Sequence, residues 1–224
     1  SRSHRKTSSP CMTWVYIIAT TRDPVALPGP PSTLLISCGA LAREIITIIR
    51  SNSWDHMQVK CLPAHLHNDP EKIPEEVRKR IRENCECFDQ IFVLFSDCGT
   101  GGLLDKVLKE EGVEPIFGNH CYEVYSGTCE FEQLVAAEPA SFFLTDFLVR
   151  HFKRLIIEGM GIDRHPQLLD IFFGKYKRLV YLAQKPDSLL ATKAEEAAQR
   201  LGLDLDIRIT GYGGYESFLK ARAN

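Results

Sequence analysis

The chain lacks a long hydrophobic run and an excess of either charge. No apolar stretch approaches the roughly 20 residues that cross a bilayer as a helix. The stretch "WVYIIAT" (14–20) is too short and has no small-residue cleavage site of the secretory kind. With 27 basic against 29 acidic side chains, the formal net charge is -2. That balance gives no global electrostatic reason to expect nucleic acid or an anionic membrane as a partner. Two phosphate-binding signatures are also missing, because the turn "CGTGGLLD" has neither G-K-[ST] nor the third glycine of G-x-G-x-x-G. No C-x-x-C pair is present either. The expectation is a soluble, cytoplasmic protein with a small-molecule ligand, no nucleic acid and no membrane among its partners.

At 224 residues the chain can bury one sizeable core or form two small lobes sharing a cleft. The opening "SRSHRKTSSPC" is basic, serine-rich and free of acids. It reads as a disordered tail or an over-extended start ahead of a transit peptide. The proline-rich "ALPGPPS" then makes residues 1–32 tail and linker.

From Thr33 onward apolar runs alternate with segments of helical period. "TLLIS" followed by "ALAREIITIIR" is a βα unit. "MQVKCLP" is a second strand, and "PEEVRKRIREN" is its helix, with proline suitably at the start. "IFVLFS" is the third strand, "LLDKVLKEEG" its helix with a glycine stop, and "VEPIFG" a short fourth strand. The region 131–161, from "FEQLVAAEP" to "IIEGMG", reads as helical and apolar on one side. A helix "HPQLLDIFFG" follows, and "RLVYLAQ", "SLLATKAEEAAQRLG", "LDIRITG" and "YESFLKARA" restore the strand and helix alternation. The fold class is therefore α/β: two Rossmann-like parallel-sheet halves, 33–135 and 136–224, with bridging central helices and the option of a single domain. "LLISCGALAREI" and "VLFSDCGTGGLLD" echo one another, through duplication or through convergence on one turn geometry.

Residues just after the strands of a parallel sheet meet at its carboxyl rim. Here Cys38 follows the first strand, Cys98 the third and Cys121 the fourth, while His65 and His67 follow the second. Thiolates and imidazoles are the donors that zinc and iron prefer, and three thiolates with an open or histidine-filled fourth position make a coherent site. His120 and Asp97 are candidates for the fourth ligand or for the groups that orient the ligands. The competing reading is that each cysteine is a small buried hydrophobe. Cys61, Cys85, Cys87 and Cys129 are assigned no role.

Gly99, Thr100, Gly101 and Gly102 could offer backbone N–H groups at a helix start to an anion, or form a plain tight turn. If Cys98 binds a metal, the same turn would present its thiolate beside the positive end of the helix and lower its pKa, so the metal and anion readings are compatible. "GIDRHPQLLD" is not the D-x-H-x-x-G cobalamin signature, because Leu168 stands at the glycine position. His165 is there as a helix cap or as a cleft acid or base. Arg150 clamps an anionic ligand or pairs with Asp146 at i, i+4 spacing. "TGYGGYESF" is a turn suited to closing a site, which turn chemistry alone also explains.

Taken together, "CGALAREI", "LPAHLHNDPEKIPEEV", "DCGTGGLLDKVL", "GNHCYEVYSG", "FFLTDFLVRHFKRLI", "GIDRHPQLLDIFFGKYKRLVYLAQ" and "ITGYGGYESFL" resemble a prokaryotic family catalogued as a domain of unknown function. The resemblance covers nearly everything from Thr33. Genes of that family often lie near corrinoid-dependent methyltransferases of the trimethylamine methyltransferase type, corrinoid proteins and their activases. It therefore implies a place in methyl-group or one-carbon metabolism, as methyltransferase or accessory enzyme. The corresponding expectation is zinc on Cys38, Cys98, Cys121 and His120, with His67, His165 and Arg150 as catalytic groups in the cleft. An iron–sulfur or corrinoid cofactor, a non-catalytic module that binds a corrinoid or a corrinoid protein, and an anion- or nucleotide-binding enzyme are the alternatives.

Overall fold

The computed structural model describes residues 30–116 and 118–223. The tail expected over 1–32 lies almost wholly outside them. The first half forms a parallel sheet of β1 (Thr33–Cys38), β2 (Met57–Leu62) and β3 (Gln90–Leu94) in the order β2-β1-β3. Its helices are α1 (Ala42–Ser51), α2 (Ile73–Arg82), α3 (Leu103–Glu111), α4 (Cys121–Ser126) and α5 (Thr128–Ala137). The second half forms a parallel sheet of β4 (Ser141–Thr145), β5 (Arg178–Ala183) and β6 (Asp204–Ile209), in chain order. Around it lie α6 (Asp146–Arg150), α7 (Leu168–Phe173) and α8 (Ser188–Leu201), while α9 (Gly214–Lys220) packs Tyr215, Phe218 and Leu219 into the core of the first half. The α/β class with two parallel sheets thus holds. Among the described residues no helix is long and apolar enough to cross a membrane.

Local chemistry explains most boundaries. Pro74 sits in the first turn of α2, where its missing N–H is not needed. Gly112 and Gly202 end α3 and α8 at φ 69° and 70°, the left-handed conformation that a side chain resists. Two expectations are corrected. Among its described residues "VEPIFG" makes only an isolated bridge, Pro115 to Val93, and no fourth strand. The supposed helical stretch 131–161 breaks after Ala137 and re-forms as β4, because Pro139 cannot continue a helix and the aromatic "SFFLT" suits a pleated surface. It then resumes as α6 and a π-helical turn, Lys153–Glu158.

β5 joins the halves. Val180 and Leu182 pack into the core built by Leu34, Ile36, Val93 and Phe218, while Leu179, Tyr181 and Ala183 pack into a second core with Val149, Phe173 and Ala194. The period of two along a strand sends alternate residues to opposite faces, so one strand serves both cores. β6, at the edge, is largely exposed and carries the Asp206–Arg208 ion pair, which discourages edge pairing with another chain.

Candidate functional site

The carboxyl rim of the first sheet carries the thiols. Cys38 is the last residue of β1, and its buried sulfur accepts the Ala40 N–H at 3.3 Å. After β2 the chain turns through a 3-10 segment, Ala64–Asn68, which puts His67 beside it, with Nδ1 3.8 Å from Cys38 Sγ and 3.0 Å from the Ala64 carbonyl oxygen. The imidazole stacks on Phe95, ring centres 6.4 Å apart. After β3, Cys98 adopts φ 49°, an uncommon left-handed conformation for a residue with a Cβ. Its N–H donates to the Asn119 carbonyl at 3.3 Å, which ties the Cys98 turn to the loop that delivers Cys121 at the start of α4.

The three sulfurs and one imidazole share a wall of a single cavity of about 190 Å³. The facing wall comes from the second half and is apolar, with Phe142, Phe147, Leu148, Leu155 and Ile156. Leu155 and Ile156 ride on the π-helical turn, a distortion often found at functional sites. The buried Ser96 hydroxyl also lines the cavity and has no partner among the described residues. His65 lines it too, exposed.

The electrostatics polarise the cluster. A hydrogen bond from Cys121, then one from His67 and the charges of His67 and His120, lower the Cys98 thiol to about 5, against the opposing effect of burial. The same interaction, with burial, pushes Cys121 well above the ordinary thiol range, so of the two sulfurs Cys98 is the one favoured as thiolate. Burial alone would lower His67, yet bonding to Cys38 and Cys98 and their negative charge raise it to about 11. The opposite shifts of Cys98 and His67 favour a thiolate beside an imidazolium, the arrangement that makes a cysteine reactive at neutral pH.

Several expected residues go elsewhere. His120 lines a separate hollow with Glu123 and Phe131 and reaches Cys98 only through its charge, so the imidazole in contact with a thiol is His67. Arg150 donates to Asp146 at 3.1 Å, in the i, i+4 pair, and lines a different cleft. His165 is exposed in the turn before α7 and lines none of the principal cavities, and its backbone serves the turn. The glycine turn holds an anion of the protein's own. Asp97 accepts from the N–H groups of Gly101 (3.2 Å) and Gly102 (2.9 Å) and from the Thr100 hydroxyl. Those bonds outweigh the desolvation that opposes them and hold its carboxyl below the usual range. A phosphate would have to displace that carboxylate, and the positive end of α3 faces Asp97 in place of Cys98. Asp97 is therefore the residue that shapes the turn and no ligand.

Sequence reasoning missed Ser96 and the apolar wall. Ser96 had one signal, a polar residue closing an apolar strand. The wall had none, since it needs the packing of the second half on the first.

The fold and site define an α/β protein of two parallel sheets with a thiol-lined cleft between its halves. Residues 61–219 match the family model described as protein of unknown function (DUF1638), and the chain belongs to that family. No curated protein and no solved structure matches it.

Proposed function

We propose that Cys38, Cys98, Cys121 and His67 are a thiolate centre for a soft divalent metal, zinc by its donor preference, acting in corrinoid-linked methyl-group metabolism as methyltransferase or accessory enzyme. The observation that supports this is the convergence of three sulfurs and an imidazole, from the ends of β1, β2 and β3 and the start of α4, on one wall of an apolar-faced cavity. The donor set is that of a Cys3His zinc site. Among the described residues no group of three or more His, Cys, Asp and Glu side chains is arranged to hold an ion as it stands. Loading therefore requires side-chain closure and the release of protons from the ligating groups. When bound, zinc keeps thiolates deprotonated yet nucleophilic, which suits methyl transfer to or from sulfur. The protein's own part is to hold Cys98 on its strained turn, to exclude water with Phe142, Phe147 and Leu155, and to offer the Ser96 hydroxyl to a ligand. The corrinoid link comes from the resemblance of the motifs, and the partner it implies is a corrinoid protein or its methyltransferase.

Metal analysis of anaerobically purified protein tests this reading. Near-stoichiometric zinc, lost in Cys98→Ala and in His67→Ala, is expected; trace metal in the wild type, unchanged in the variants, refutes it. The thiolate–imidazolium pair favours a second reading, Cys98 as a metal-free nucleophile with Cys121 as its hydrogen-bond donor. That reading predicts full activity towards thiol-directed electrophiles after chelation.

A further inference from the structure

A second cleft lies at the carboxyl rim of the other sheet, against α1. The residues that follow all three of its strands reach it: Asp146 after β4, Gln184 after β5 and Tyr212 beyond β6. In open α/β sheets this rim is where ligands bind. The cavity measures about 280 Å³, at the small end of metabolite sites.

Its floor is polar and incompletely satisfied. Asp146 is 5 % exposed and fully engaged: Oδ1 accepts from the Tyr181 hydroxyl (2.8 Å) and the Gln184 N–H (3.2 Å), and Oδ2 from Arg150 (3.1 Å). Gln184, 4 % exposed, donates through Nε2 to the Leu182 carbonyl at 2.9 Å, which fixes the amide and leaves Oε1 buried without a partner. Glu44, 5 % exposed on α1, likewise has Oε2 buried and unpartnered. Both orphans are acceptors, and a desolvated acceptor costs ~1–3 kcal/mol unless an N–H or O–H reaches it. At the rim the pattern reverses. Arg43 and Lys185 are exposed cations with no ion pair among the described residues, Lys185 lying 5.4 Å over the Tyr212 ring. Asp187, the remaining acid, is committed to capping α8 through the Leu190 N–H at 3.1 Å.

We propose that this cleft binds a small zwitterion, an α-amino acid or a close analogue, with its ammonium between Glu44 and Gln184 and its carboxylate towards Arg43 and Lys185. Two unsatisfied acceptors on the floor and two cations without an ion pair at the mouth match those two groups. Burial first, and the Asp146 charge as well, push the Glu44 carboxyl upward against its own backbone N–H and the Arg150 and Arg43 charges, and a bound ammonium would add to that opposition. The cleft shares no lining residue with the thiol cavity, and the proposal does not depend on the thiol centre.

The test is calorimetric titration and thermal shift of the full chain, with the common α-amino acids as probes and their N-acetyl and methyl ester derivatives as matched controls. At least one amino acid should bind and raise Tm, and both of its derivatives should bind at least ~10-fold more weakly, as expected when a charge-assisted hydrogen bond is lost. Glu44→Gln should weaken binding by a similar factor and Arg43→Ala by several-fold, while Cys98→Ser should leave it unchanged. Arg43 is exposed, so its variant keeps the test decisive if Glu44→Gln does not fold. Absence of binding by every amino acid at ~10 mM, a concentration that would reveal even very weak sites, or unchanged affinity in both Glu44→Gln and Arg43→Ala, overturns the proposal.

Discussion

Replacing Cys98 by glycine and by alanine separates the backbone strain at the thiol turn from the chemistry the turn serves. At φ 49° a residue with a Cβ is held in the left-handed region, which costs about 1–2 kcal/mol. Glycine escapes that penalty but loses ~0.4–1 kcal/mol more backbone entropy on folding. Both variants remove the sulfur, and with it the bonds to Cys121 and His67, so those losses cancel between them. Cys98→Gly should therefore be more stable than Cys98→Ala by roughly 1 kcal/mol, or about 2–4 °C in Tm for a chain of this size. At an ordinary helical or extended position the order is the opposite, with glycine ~0.5–1 kcal/mol the less stable. Urea unfolding followed by circular dichroism measures the difference directly. If alanine proves as stable as glycine or more so, the turn stores no strain and the argument that Cys98 is held under tension for function fails. Neither variant should bind zinc.

In chelator-treated protein the thiolate is the reactive form, so the rate of Cys98 alkylation by iodoacetamide should rise through a midpoint near 5 and be flat at neutral pH. His67→Ala removes one of the bonds and the charge that lower this thiol, and should move the midpoint up towards the ordinary thiol range; an unmoved midpoint would show that His67 is not paired with Cys98. Gly213 has φ 51° and ψ -135°, and a Cβ there would overlap the backbone carbonyls of Val124 and Tyr125. Gly213→Ala should cost ~1–3 kcal/mol or more, because rigid backbone cannot move aside as a side chain can, and a denaturation midpoint within error of wild type would show that α4 and α9 do not pack this closely.

How far the site could be read from the chain depends on how local each cause is. Cysteines placed at the ends of β1 and β3 were legible, because strand and turn signals lie within a few residues of them. β4 was not, because Phe142, Phe143 and Leu144 continue an apolar pattern begun in α5, and Pro139 was the only sign of the break. The glycine turn was legible as a turn, yet the competition for its amides was not. Asp97 at its mouth offers a carboxylate that no motif comparison weighs against an external phosphate.

The sequence by itself determined the α/β alternation, the helix stops at Gly112 and Gly202, and the presence of soft donors after successive strands, since these follow from periodicity, turn chemistry and residue type. Only the tertiary structure decided which donors meet. Strand order β2-β1-β3 brings the 3-10 turn bearing His67 next to Cys38, and the Cys98 to Asn119 hydrogen bond draws Cys121 in, while His120, one residue away, faces another hollow. Packing of the second half on α1 likewise builds the cleft around Glu44 and Gln184. Convergence of distant residues is set by sheet order and by the burial of both faces of β5, which are sums over the whole chain and leave no mark in any short stretch of it.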